Sequence, residues 1–151
     1  MTDQIEKVIE IDAPVSRVWR ALTDYREFGT WFRVRLDGPF VAGEKCGGQI
    51  THPGYEHLRM EVVVQRIEPE HLFSLTWHPY AVDEGVDYAH EEPTLVTFTL
   101  APTAGGGTLL RVVESGFDRI PAHRRAKAFR MNDGGWQAQM ENIARHVGQA
   151  A

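Results

Sequence analysis

The stretch from Ile120 to Ala151, IPAHRRAKAFRMNDGGWQAQMENIARHVGQAA, constrains the fold of this chain more than any other. Phe129, Trp136, Met140, Ile143 and Val147 step forward by seven, four, three and four residues. On a 3.6-residue helix that spacing gathers all five on one face, with Arg130, Gln137, Glu141 and Arg145 elsewhere around it. Pro121 suits the first turn, where its missing N–H costs nothing. Gly134 and Gly135 each cost about 1 kcal/mol relative to Ala in a helix interior, which predicts a weakened or kinked middle. A long helix with one apolar stripe needs a surface to lie on. The rest of the chain supplies strands, so the expected architecture is α+β, the helix closing over a curved antiparallel sheet with a pocket between them.

The 151 residues predict one domain, 1–151, with a full core. The balance of 16 Lys+Arg against 21 Asp+Glu gives a net charge of −5. That argues against nucleic acid, whose phosphates are neutralised by clustered Lys and Arg. The one basic cluster, Arg124 to Lys127, fits the solvent face of the helix. No run reaches 18 apolar residues, and MTDQIEKVIE lacks an apolar signal core, so neither a membrane span nor export is expected and the location reads as cytoplasmic. Cys46 is the single cysteine and forms no internal disulfide.

In order, Ile5 to Ile11 reads as a strand. Asp12 is then a candidate N-cap, with Pro14 just inside a helix whose stripe is Val15, Val18, Trp19 and Leu22. A second short helix starts at Asp24, with Glu27 placed to reach back, Tyr25, Phe28, Trp31 and Phe32 on its apolar side, and Gly29 weakening it. Strands follow at Val34–Leu36, at Glu44–Thr51, from Met60 to near Glu68-Pro69, and at Phe73–Trp77, Val96–Leu100 and Leu110–Glu114. Gly47 and Gly48 weaken the second of these or mark a bulge. The acidic segment between His78 and Pro93 has no period; it reads as a solvated loop or as a lid at the pocket mouth.

APVSRVWRALTD after the first strand, GE before a glycine-containing strand ending in IT, LTWHP, and ESGF followed by a long helix carrying GGW resemble one family in this order. That family comprises the homologues of the heat-shock-protein ATPase activator, within the START-like (SRPBCC) superfamily. The resemblance runs roughly from Ile5 to Val147 and implies a helix-grip fold with a cavity. It implies no single activity, because relatives include lipid carriers, polyketide cyclases, plant hormone binders and co-chaperones.

Glu114 is the most informative single residue. It continues the face of Leu110 and Val112, so a period of two aims its carboxylate at the pocket. There it must be paired, hydrogen-bonded or perturbed, unless it sits solvated at the strand end. His52, His57, His71, His78 and His90 lack metal-site spacings, so no metal is expected. His52 lies on the face of Cys46, Gly48 and Ile50 if no bulge intervenes. The aromatic set of Trp31, Phe40, Trp77, Phe117, Phe129 and Trp136 reads as core that doubles as cavity wall. Gly105–Gly107 joins two strands and lacks the GK[ST] of a phosphate loop, and no cofactor motif or serine nucleophile elbow occurs.

The expected function is therefore binding of a small hydrophobic or aromatic molecule. Its candidate site comprises Trp31, Phe40, Ile50, His52, Trp77, Glu114, Phe117, Phe129, Trp136 and Met140. A cyclase or dehydratase acting on a polyketide-like substrate, with Glu114 or His52 as acid–base, is the alternative. A chaperone-associated interaction module is the third class. An exposed edge strand or the outer face of the first helix could also pair two copies as a homodimer.

Overall fold

The computed structural model of the chain describes residues 4–80 and 88–149. The elements are β1 (Gln4–Ile11), α1 (Val15–Thr23), α2 (Tyr25–Phe32), β2 (Val34–Leu36), β3 (Lys45–Ile50), β4 (Arg59–Glu68), β5 (Leu72–Trp77), β6 (Thr94–Pro102), β7 (Thr108–Ser115) and α3 (Ala122–Gln149). A single 3-10 turn, Phe117–Arg119, joins β7 to α3; the sequence pattern did not announce it. The seven strands form one antiparallel sheet in the order β1-β7-β6-β5-β4-β3-β2, curved in the manner of a helix-grip fold. The expected α+β class and the two short helices after the first strand are both present.

Period-two burial explains the inner face. Met60, Val62 and Val64 of β4, Val96, Phe98 and Leu100 of β6, and Leu110, Val112 and Glu114 of β7 are all buried. The apolar stripe of α3 turns the same way, with Trp136, Met140, Ile143 and Val147 buried and Phe129 partly so. Each large side chain taken out of water contributes about 1.5–3 kcal/mol before entropy is subtracted.

Several local expectations need correction. Pro14, not Asp12, occupies the N-cap of α1, in extended conformation and without a side-chain cap bond, and the helix begins at Val15. Asp24 does cap α2, accepting from the backbone N–H groups of Arg26 and Glu27. Glu27 does not reach back to complete a capping box; it accepts from Arg17 at 2.8 Å, Arg20 at 2.9 Å and His146 at 2.9 Å. Burial works against its ionisation, but these donors outweigh it and hold its carboxyl below the usual range. One carboxylate thereby ties α1, α2 and α3 together. Gly29 proves necessary, since a Cβ there would collide with the carbonyl of Val34 where the chain turns from α2 into β2. Gly48 likewise lies flat against the Arg35 backbone of the neighbouring strand, and the sheet's irregularity sits instead between Val64 and Arg66 on β4. α3 runs unbroken through Gly134 and Gly135, held by packing on both sides of them.

Arg124 leaves the solvent face that the sequence suggested for it. Its guanidinium makes a two-pronged ion pair with Glu91, the shortest contact being 2.6 Å, and both side chains are nearly buried. It also donates to the Pro79 carbonyl at 2.8 Å and lies over the Tyr88 ring. The two described ends of the acidic segment are thus fastened to the first turns of α3. Residues 81–87, where the middle of the expected lid falls, lie outside the described residues.

Candidate functional site

β7 places the Glu114 side chain on the inner face, between Ile5 of β1 and Val96 of β6, with no solvent exposure. Four donors meet it there. Trp77 Nε1 and Thr94 Oγ1 donate to Oε2 at 2.7 and 2.6 Å. Asn132 Nδ2 and Trp136 Nε1 donate to Oε1 at 2.9 and 2.8 Å. The two oxygens of a carboxyl group offer about four acceptor positions, and four groups stand at them. No ion pair within the described residues includes Glu114. Among the described residues this buried carboxyl is held by neutral dipoles, two of them indole N–H groups that can only donate.

The donors come from three elements. Trp77 closes β5, Thr94 opens β6 as its direct partner in the ladder, and Asn132 and Trp136 stand four residues apart on α3. That i, i+4 spacing puts the amide and the indole on one helix face, above the carboxylate. Glu114 therefore bolts the helix to the sheet.

A cleft opens at that point. Phe32, Trp77, Asn132, Gly135, Trp136 and Gln139 line it, and its volume is about 120 Å³. Trp77 and Trp136 stack 5.5 Å apart, 24° from parallel, and Phe32 lies 6.0 and 6.4 Å from them. Phe98 supports Trp136 edge-on from the sheet at 5.6 Å. Gly135 matters by its lack of a side chain, because a Cβ there would meet nothing within 4 Å and would project into free space.

Of the residues singled out from sequence, Trp77 and Trp136 wall this cleft and Glu114 lies directly behind them. Trp31 is elsewhere: its indole donates to the Ala21 carbonyl at 2.8 Å and its ring packs on Phe28. Phe40 fills the core between Phe28 and Phe73, and Phe117 sits edge-on against Phe129. Met140 is buried one helical turn beyond Trp136, and Ile50 is half-buried at the end of β3. His52 lies past the end of β3, exposed, with Nδ1 3.5 Å from Arg33 and its ring near Tyr55. Among the described residues no group of three or more His, Cys, Asp or Glu could hold a metal ion.

Sequence reading missed Phe32, Thr94, Asn132, Gly135 and Gln139. A signal existed for two of them. Asn132 and Gln139 stand at −4 and +3 from Trp136, polar residues on the very face that carries the apolar stripe. Phe32 carried no such mark, because adjacent Trp31 and Phe32 are equally apolar and only the sheet's position decides which one faces the cleft.

A family model described as Activator of Hsp90 ATPase homolog 1-like protein matches residues 12–148. No curated protein matches the chain. Among solved structures, the chain is similar to DynU16, a protein in the dynemicin biosynthetic locus, at 24% identity and a TM-score of 0.76. That match covers 99% of this chain and 49% of DynU16, so the chain spans about half of that protein. Protein MLL2253 from Mesorhizobium loti matches at 24% identity and a TM-score of 0.76 over 98% of both chains. An Aha1 dimer from Colwellia psychrerythraea matches at 16% identity and a TM-score of 0.70, over 97% of this chain and 96% of that one. At these identities the likeness is one of fold.

Proposed function

We propose a ligand-binding function for this chain, which belongs to the family of Activator of Hsp90 ATPase homolog 1-like proteins: a small hydrophobic or aromatic molecule docks between the sheet and α3. The observation that supports this reading is the cleft itself, in which three aromatic rings from three elements surround open space beside Gly135. Sites for small molecules are concave and mostly apolar, with few polar groups, and this cleft has that make-up.

Size narrows the reading. An apolar cavity of about 150 Å³ accommodates a benzene ring. About 120 Å³ open at the mouth is somewhat less than that, so the cleft takes the edge of one ring or one branched alkyl group, with the remainder of the ligand outside. An acid–base role for Glu114 has less support, because a substrate proton would have to displace one of four short hydrogen bonds. Self-association, the state given for the Colwellia protein, is open to light scattering on the purified chain.

The test is a thermal-shift screen against single-ring aromatics, followed by NMR of the indole N–H signals. A dose-dependent rise in melting temperature is expected, since a ligand that binds only the native state stabilises it by RT ln(1 + [L]/Kd). The shift should be accompanied by perturbed Trp77 and Trp136 signals. If no compound moves either observable, the cleft is a packing feature and a protein-docking role takes precedence.

A further inference from the structure

We propose that the cleft selects a neutral aromatic carboxamide, whose polar group both donates and accepts, and that the side-chain amide of Gln139 reads that group. This inference rests on the ligand-binding reading above and adds the chemical class of the ligand.

The polar make-up of the lining carries the argument. Besides Phe32, Trp77, Gly135 and Trp136, the cleft is lined by Asn132 and Gln139, and none of these residues has an ionisable side chain. Each indole nitrogen has a single proton, and both are given to Glu114. The side-chain hydrogen bonds left for a ligand are therefore those of two primary amides.

A primary amide has two N–H donors and an oxygen that accepts twice. Asn132 spends one N–H on Glu114 at 2.9 Å. Gln139 directs one N–H to the Phe32 carbonyl at 3.4 Å, and its oxygen accepts from Asn142 at 3.1 Å. Each of the two keeps an N–H and an oxygen lone pair, so the remainder is mixed. An ionised carboxylate matches only the N–H groups and an ammonium only the oxygens. Either ion also gives up water for an apolar wall that holds no counter-charge. A carboxamide matches both kinds of group and brings no charge to desolvate.

Placement on α3 singles out Gln139. Asn132 and Gln139 stand three residues before and four residues after Gly135, so all three share one face of the helix. At 1.5 Å per residue they lie about 4.5 and 6 Å along the axis from the glycine. Side chains on a helix lean toward its N-terminus, so Gln139 reaches back toward Gly135 while Asn132 leans away. The longer hydrogen bond of Gln139 is also the easier of the two to exchange for one to a ligand. Phe32, Trp77 and Trp136 are packed on one another, so a ligand lies against these rings rather than between them. Its ring edge takes the open space beside Gly135, and its carboxamide meets Gln139.

Benzamide, acetophenone and benzoate carry one ring each and substituents of nearly the same shape: a carboxamide, a methyl ketone and a carboxylate. Calorimetry at pH 7 should give benzamide a dissociation constant about fivefold below that of acetophenone, the effect of one net hydrogen bond, with benzoate weakest. Gln139→Met keeps an unbranched side chain of similar length and leaves the four Glu114 hydrogen bonds in place. It should bring benzamide down to the affinity of acetophenone, which should itself be little changed. Equal binding of benzamide and acetophenone to wild type, or tightest binding of benzoate, would overturn the carboxamide selectivity while leaving the cleft as a binding site. Full retention of the benzamide preference in Gln139→Met, or an equal loss of both neutral compounds, would overturn the role given to Gln139. Absence of binding by all three compounds would overturn both readings.

Discussion

Trp77 at the end of β5 and Trp136 in the middle of α3 stack at 5.5 Å while their indole nitrogens donate to opposite oxygens of one buried carboxylate. Ring contact and hydrogen bonds thus fix the same two side chains from two directions. The pair is the junction of sheet and helix and, on its open side, the wall of the cleft.

Glu114→Gln is therefore not a silent isosteric change. The two indole partners of Glu114 can only donate, one to each oxygen, and a Gln amide nitrogen would face one of them whichever way it turned. A buried donor left unsatisfied costs about 1–3 kcal/mol, so Gln should lower stability by that amount in urea denaturation. A stability equal to wild type would show that the amide finds a partner the carboxylate does not use.

Gly135→Ala and Gly134→Ala should part company. Both replace a helical glycine with no neighbour near the added Cβ, and each should stabilise the helix by about 0.5–1 kcal/mol in thermal unfolding. Only Gly135 lines the cleft. Its Ala variant should lose affinity for single-ring ligands in calorimetry, and the Gly134 variant should keep it.

Trp136→Ala removes a buried ring, its stacking partner contact with Trp77 and one donor to Glu114. A loss of about 3–5 kcal/mol is expected, a large fraction of a typical domain's 5–15. A milder Trp136→Phe, which keeps a ring but no N–H, should fall between that variant and wild type in chemical denaturation.

The Arg124–Glu91 pair predicts acid sensitivity with a definite sign. The hydrogen bonds from Arg124 are the largest influence on Glu91 and hold its carboxyl below the usual carboxylate range, against the opposing effect of burial. A carboxylate whose pKa falls on folding contributes stability that is complete above the unfolded value and disappears as pH drops through the folded one. Unfolding midpoints should therefore decline below about pH 4.5 in wild type. Arg124→Met should lose about 3 kcal/mol at pH 7, where Glu91 is left buried and unpaired, and should flatten that acid limb. An unchanged acid limb in the variant would remove Glu91 as its source.

Much of the architecture follows from spacing alone. The 3.6-residue stripe of Phe129, Trp136, Met140, Ile143 and Val147 dictates one long helix lying on apolar strands. The period of two through Leu110, Val112 and Glu114 dictates that a carboxylate points inward. Those are local consequences of backbone geometry, and they hold whatever the strand order. What the carboxylate meets is not local. Its donors come from residues 77, 94, 132 and 136, brought to one point only when β5, β6, β7 and α3 assemble. The same limit explains why Phe32 rather than Trp31 reaches the cleft, why His52 ends up past its strand, and why a glycine pair that weakens an isolated helix is carried by packing. Periodicity tells which side of an element is buried; only the tertiary structure decides which neighbour lies across from it, because that depends on contacts between residues far apart in the chain.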